Sequence, residues 1–285
     1  MFTRGKGTGW PERSPAFPAA ATGADIVCVD HVSKAFGTGQ TRRIALDDVS
    51  LSVQRGTFVT LIGPSGCGKS TLLRIVAGLL DADSGDVSVL GATAAQATAA
   101  KSIGFVPQTP ALLPWRTVLD NVRLPMQVNR KANDNGVRSP RDPAEVLEQF
   151  GLGRVLRARP AELSGGMQQR VAIARAFAFD PAILLMDEPF SALDELTRER
   201  QRYELLQVWQ SNRKTVLFVT HSVAEAVALS DVVAVMSSRP GRIRALVPVD
   251  LPRPRTAYTE TTEAFHRIVQ SIRDELRAAW QDGDD

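Results

Sequence analysis

Apolar residues along this chain follow two rhythms. Ile26 to Val32 and Ala45 to Val53 alternate apolar with polar side chains and are rich in β-branched residues, which predicts half-buried strands. Phe58 to Ile62, Ile183 to Met186 and Val216 to Thr220 are instead nearly unbroken apolar runs, and Ile103 to Val106 predicts a further strand. Short apolar runs separated by helical stretches predict strands buried on both faces, hence a parallel α/β sheet. The second rhythm is helical. Leu72, Leu73, Val76 and Leu79 fall on one face of a helix predicted over Leu72 to Leu80. Thr117 to Gly153 is also helical in pattern, broken by the Asn, Asp, Gly and Pro content of Asn129 to Asp142, which marks a loop. Phe265, Ile268, Val269, Ile272, Leu276 and Trp280 recur at helical spacing and predict an amphipathic helix packed on its own domain.

Composition narrows the classes without choosing one. A chain of 285 residues, 44% hydrophobic and 23% charged, has the make-up of an ordinary globular protein with one large or two modest domains. The net charge of +3 comes without a basic stripe interleaved with aromatics, which argues against a nucleic-acid partner. Every apolar run falls short of the ~18 residues that cross a bilayer. Residues 1–23 hold Pro11, Pro15 and Pro18 and no apolar core, so the expectation there is a flexible leader and not a signal peptide. Cys28 and Cys67 lie on separate elements with no second Cys or His at ligand spacing, which fits a reducing cytoplasm.

The chemistry starts at Gly63-Pro64-Ser65-Gly66-Cys67-Gly68-Lys69-Ser70, which fits G-x-x-x-x-G-K-[ST] directly after the apolar run ending at Ile62. Glycines let the backbone curl until successive N–H groups converge on an anion, and the helix opening near Lys69 adds its dipole. Lys69 would reach the β- and γ-phosphates of a nucleotide, and Ser70 would ligate Mg²⁺. Ile183 to Met186 runs into Asp187 and Glu188. In a phosphate-binding fold of this kind the first acid helps hold Mg²⁺, and the second can polarise the attacking water.

Leu163-Ser164-Gly165-Gly166-Met167-Gln168-Gln169-Arg170 resembles the signature sequence of ATP-binding-cassette ATPases. A serine at a helix start beside two glycines is a second anion site. The resemblance implies further assignments in family order. Gln108, after a strand, looks like the glutamine that senses Mg²⁺ and the water. Ser191-Ala192-Leu193-Asp194 looks like the D-loop, His221 like the switch histidine at the γ-phosphate, and Phe36 like the aromatic that stacks on adenine. His31 and His266 match no cassette motif and are expected to be structural.

The implied fold is an α/β P-loop NTPase cassette with a mostly parallel core sheet, an antiparallel β subdomain and an inserted α-helical subdomain over about 108–165. The cassette would span 24–250 and the amphipathic helix would belong to an extension over 251–285. The resemblance also implies that one subunit cannot complete the reaction. By that resemblance two copies would dimerise head to tail, and each ATP would lie between Gly63 to Thr71 of one and Ser164, Gly165, Gly166 and Gln168 of the other.

Leu113-Pro114-Trp115, the segment Met186 to Arg198 and Ser238-Arg239-Pro240-Gly241-Arg242-Ile243 look most like the nitrate/sulfonate/taurine importer branch, with aliphatic sulfonates first. That implies integral membrane permease subunits as partners, a solute-binding protein beyond them, and a place on the cytoplasmic face of a bacterial inner membrane. Trp115 beside a proline turn would anchor the permease's helix. A cassette acting on nucleic acid or the ribosome is disfavoured, because neither a second cassette, a long coiled-coil insertion nor zinc-binding cysteines are present.

Overall fold

The computed structural model describes residues 25–133 and 140–281, so the expected leader and the centre of the Asn129 to Asp142 loop lie outside the described residues. In chain order, strands β1 (Asp25–Phe36), β2 (Arg43–Gln54) and β3 (Phe58–Ile62) lead into helix α1 (Lys69–Val76). Then come β4 (Ser84–Val89), β5 (Ala92–Thr93), α2 (Ala94–Ala99) and β6 (Ile103–Val106). Helices α3 (Val118–Gln127), α4 (Pro143–Gln149) and α5 (Gly165–Ala178) follow. The chain then alternates through β7 (Ile183–Asp187), α6 (Glu195–Asn212), β8 (Thr215–Val219), α7 (Val223–Leu229) and β9 (Val232–Met236). β10 (Ile243–Pro248) and α8 (Glu263–Gln281) complete it.

Six strands form the core sheet in the order β10-β9-β3-β8-β7-β6, parallel throughout except for β10. β3, β7, β8 and β9 are buried at every residue, as strands covered on both faces must be, which is why they carry no polar alternation. β3 lies between β9 and β8, with β7 next, so the ends of β3, β7 and β8 open side by side. Ligand sites in such sheets lie at those carboxyl ends. The second sheet, β2-β1-β4-β5, is antiparallel. A parallel bridge between Leu46 and Gly241 joins the two sheets, with Gly241 N–H donating to Ala45 O and Asp47 N–H to Gly241 O, each at 3.0 Å. Only glycine fits there, because a Cβ at Gly241 would collide with the Cys67 carbonyl oxygen.

On one face of the core sheet, Phe58 packs edge-on against Trp209 of α6 at 5.5 Å between ring centroids and against Phe218 at 5.7 Å. Trp209 is fully buried and its Nε1–H donates to Lys214 O at 2.6 Å.

Two apolar residues leave their predicted faces. α1 stops at Val76 because Gly78 turns left-handed (φ 66°), its N–H donating to Ile75 O and the Leu79 N–H to Arg74 O, both at 2.9 Å. Leu79 is therefore outside the helix and 59% exposed. At the other end Trp280 is 63% exposed while Ala279 is fully buried. The Ser238 N–H donates to Ala279 O at 3.3 Å, docking that side of α8 instead.

Candidate active site

β3 delivers the chain to Gly63, and the loop that follows re-enters as α1 at Lys69. Gly68 caps that helix at φ 99°, and a Cβ on it would lie 2.6 Å from Leu46 Cδ2 and 2.7 Å from Ala45 O. The first N–H groups of α1 have no partner within the helix, which leaves them to an anion. Lys69, 6% exposed, donates to Gly63 O at 2.8 Å and Pro64 O at 2.9 Å. The loop's own carbonyls thus hold the ammonium. Cys67 is fully buried, and desolvation pushes its thiol above the ordinary value.

Ser70 Oγ donates to Asp187 Oδ1 at 2.6 Å, so the helix and the tip of β7 meet where the sequence paired them. Burial pushes the Asp187 carboxyl up, and the Ser70 bond pulls it back. Glu188 adopts φ 43°, turning its side chain out of the strand run while its N–H keeps a bond to Val219 O at 3.0 Å. Its Oε2 lies 3.2 Å from His221 Nδ1 and 3.5 Å from Gln108 Nε2. Gln108 also donates to Ser191 Oγ at 3.3 Å, and Ser191 Oγ donates to Glu188 O at 3.0 Å. Groups from β6, β7 and β8 therefore converge on one carboxylate.

A cleft of about 520 Å³ covers this cluster, lined by Ser65, Gly66, Gly68, Lys69, Ser70, Thr71, Gln108 and Glu188. Phe36, 46% exposed at the end of β1, lines it from the antiparallel sheet. Gly63, Pro64 and His221 instead line an adjoining cavity of about 650 Å³ with Arg273, Leu276, Arg277 and Trp280 of α8. Arg43, Ile44, Ala45 and Arg239 also line the first cleft, Arg239 donating to Gly66 O at 3.3 Å, and no sequence motif points to the two arginines at this cleft. Their arrival depends on the Leu46–Gly241 bridge, a long-range contact that no local pattern encodes.

The signature residues are elsewhere. Ser164 caps α5, its Oγ accepting from Met167 N–H at 3.3 Å, and is exposed, as is Gly165. Gln168 donates to Pro160 O at 3.0 Å and Leu163 O at 3.3 Å. Asp194 caps α6 by accepting from Thr197 N–H at 3.0 Å, and that bond holds its carboxyl below the usual range. None of these lines the cleft.

The segment after Gln108 presents Trp115 at 67% exposure. Its backbone is clamped from inside by fully buried Asn121, which accepts from Leu113 N–H at 2.7 Å and donates to the Leu113, Arg116 and Thr117 carbonyls. Arg175 of α5 holds the Pro110 and Ala111 carbonyls at 2.8 and 2.9 Å.

The family described as ABC transporter matches residues 46–191. The chain belongs to that family. The resemblance seen in the sequence is thereby shown, and with it an α/β ATPase cassette. Relatives of this ABC ATPase include the aliphatic sulfonates import ATP-binding protein SsuB of Bacillus licheniformis, 43% identical over 84% of this chain and 89% of that protein. The taurine import ATP-binding protein TauB of Rhizobium johnstonii is 43% identical over 88% of this chain and 94% of that one. An ATP-binding cassette solved as a dimer in a post-hydrolysis state, bound to ADP and Pi, superposes with a TM-score of 0.67 at 31% identity, over 79% of this chain and 100% of that one. No described helix of the ABC ATPase is long and apolar enough to cross a membrane.

Proposed function

We propose that this ABC ATPase energises a bacterial membrane importer for aliphatic sulfonates, with taurine or nitrate as the alternative cargo. The observation that carries the catalytic part is the convergence of Gln108 and His221 on Glu188 beside the Ser70–Asp187 pair. Glu188, its carboxylate met by Gln108 and His221, takes the proton of the attacking water. His221 and Lys69 meet the γ-phosphate, and Phe36 stacks on adenine. Gly63, Pro64, Ser65, Gly66, Cys67, Gly68, Ser70 and Thr71 form the cradle.

The Ser70 hydroxyl, the Asp187 carboxylate and the Gln108 amide oxygen suit a hard divalent cation, which takes oxygen donors and keeps several waters. The fit rests on Asp187, a mostly buried carboxylate whose hydrogen bond from Ser70 yields to a cation. Asp187 would hold Mg²⁺ through water. Held by these residues, Mg²⁺ would supply charge neutralisation to the phosphate oxygens.

Ser164, Gly165, Gly166 and Gln168 act in trans, on the nucleotide of a second copy arranged head to tail, with Asp194 in the D-loop between the two. Closure favoured only while the γ-phosphate is present makes hydrolysis a population shift toward the open pair. Clamped Trp115 is the anchor for a permease helix, and an aromatic held in place is the residue type that dominates such contacts. The permease places the ATPase on the cytoplasmic face, with a solute-binding protein on the other side. Sulfonate is favoured over nitrate by the names of the relatives, SsuB and TauB.

The test is growth of a strain lacking this chain on an aliphatic sulfonate, on taurine, on nitrate and on sulfate. Failure on sulfonate alone, rescued by wild type and not by Glu188→Gln, is the expected result. Failure confined to taurine or nitrate would move the cargo, and rescue by Glu188→Gln would remove hydrolysis from the account.

A further inference from the structure

We infer that Thr220 and Glu225 are positioning residues for hydrolysis, which with Arg198 tie the segment bearing His221 to the Ser191–Asp194 turn of the same subunit. The inference rests on the reading of His221 as the group that meets the γ-phosphate. The His221 ring is 53% exposed and its one hydrogen bond among the described residues is the contact with Glu188 at 3.2 Å. Its aim is therefore set by its backbone.

That backbone is held by an unusual helix start. Ser222-Val223-Ala224-Glu225 has the spacing of a capping box, and Ser222 Oγ accepts from Glu225 N–H at 3.3 Å. In a simple box the Glu225 carboxylate would accept from the Ser222 N–H. Here a hydroxyl is interposed. Thr220 Oγ1 accepts from Ser222 N–H at 3.0 Å and donates to Glu225 Oε2 at 2.5 Å, so one oxygen fixes the residues on both sides of His221. Thr220 is 2% exposed and Glu225 3%.

A buried carboxylate needs a counter-charge. Arg198 Nε, buried and without a hydrogen bond of its own, lies 3.8 Å from Glu225 Oε1. The same guanidinium donates to Leu193 O at 2.9 Å, inside the turn, and lies 3.6 Å from Glu195. Arg202, one helical turn on and more deeply buried, also adds its charge to Glu225 but donates to Glu260 at 2.5 Å, so Arg198 is the guanidinium that joins Glu225 to the turn. A movement of Leu193 is thus passed through Arg198, Glu225 and Thr220 to the peptide that carries His221. Helix capping alone would need neither the detour through Thr220 nor the arginine.

The experiment measures phosphate release against ATP concentration for Thr220→Val, Thr220→Ser, Glu225→Gln and His221→Ala in the full chain. Circular dichroism and binding of a fluorescent ATP analogue serve as checks on folding. We expect Thr220→Val and Glu225→Gln to lose tenfold or more in kcat with KM for ATP within twofold, and Thr220→Ser to recover at least half of the wild-type kcat. A helix-capping role would move thermal stability and leave kcat in place. Wild-type kcat in a folded Thr220→Val overturns the inference while His221→Ala is inactive. Wild-type kcat in His221→Ala overturns the switch-histidine reading, and this inference with it. Thr220→Val is isosteric and tests the same link should Glu225→Gln fail to fold.

Discussion

Two glycine turns open helices in this molecule, at Gly68 and at Gly165, and they are finished in opposite ways. Around Gly68 the space is full: the left-handed turn, Leu46 and Ala45 leave no room for a Cβ, and Lys69 is folded onto the loop's own carbonyls. Around Gly165 nothing approaches within 4 Å of where a Cβ would stand, and the serine before it is exposed. Both turns use free N–H groups and a helix dipole, which is the physics of anion binding. One cradle is closed by its own chain, and the other faces outward. Crowding makes the Gly68 turn a wall built by its own subunit, whereas the open space at Gly165 supports the proposal that this turn acts on the nucleotide of a second copy.

Substitutions at and around the two turns separate them. The largest effect is expected at the closed site: Glu188→Gln should lower turnover by about 10²–10⁴-fold while a fluorescent ATP analogue still binds. Turnover within tenfold of wild type would sink the assignment of Glu188 as base. Next, Gly68→Ala should cost about 1–3 kcal/mol of stability in urea titration, because alanine is strained at φ 99°. Gly165→Ala should stay within about 0.5 kcal/mol of wild type. Equal losses at the two glycines would erase the distinction.

Third, mixing inactive Lys69→Ala with inactive Ser164→Arg should restore about a quarter of wild-type ATPase, since half the dimers are mixed and each keeps one intact site. No recovery would mean that the signature serves its own subunit. The smallest effect is a baseline far from both turns. His31 has its pKa raised above 6.5 by the Asp48 carboxylate at 2.5 Å, and then by Asp30. Its contribution to stability is full below pH 6.5 and lost as pH rises through the folded value, and Asp48→Asn should return its NMR titration midpoint toward 6.5.

Much of this was legible because the decisive signals are local. Phe58 to Ile62 is a strand over the residues its apolar run marks, and β7 and β8 lie within one residue of theirs. The cradle was readable for the same reason, since glycine spacing is a backbone requirement within eight residues. Where reading failed, a distant contact decided. Leu79 has the right period for α1, but Gly78 ends the helix first. Trp280 lost its place to Ala279 when a loop forty residues away bonded to that carbonyl. Arg43 and Arg239 reach the cleft through a bridge between two sheets, and β9 and β10 lie outside the predicted strands although β9 is wholly apolar.

The Asn121 clamp has a thermodynamic consequence. Four hydrogen bonds from one buried amide fix the backbone on both sides of Trp115 as the protein folds. Ordering a loop on association costs roughly 0.5–1.5 kcal/mol for each immobilised side chain, and here the backbone share of that cost is met before any partner arrives. A partner that covers Trp115 would therefore have to order the indole but little of the backbone around it.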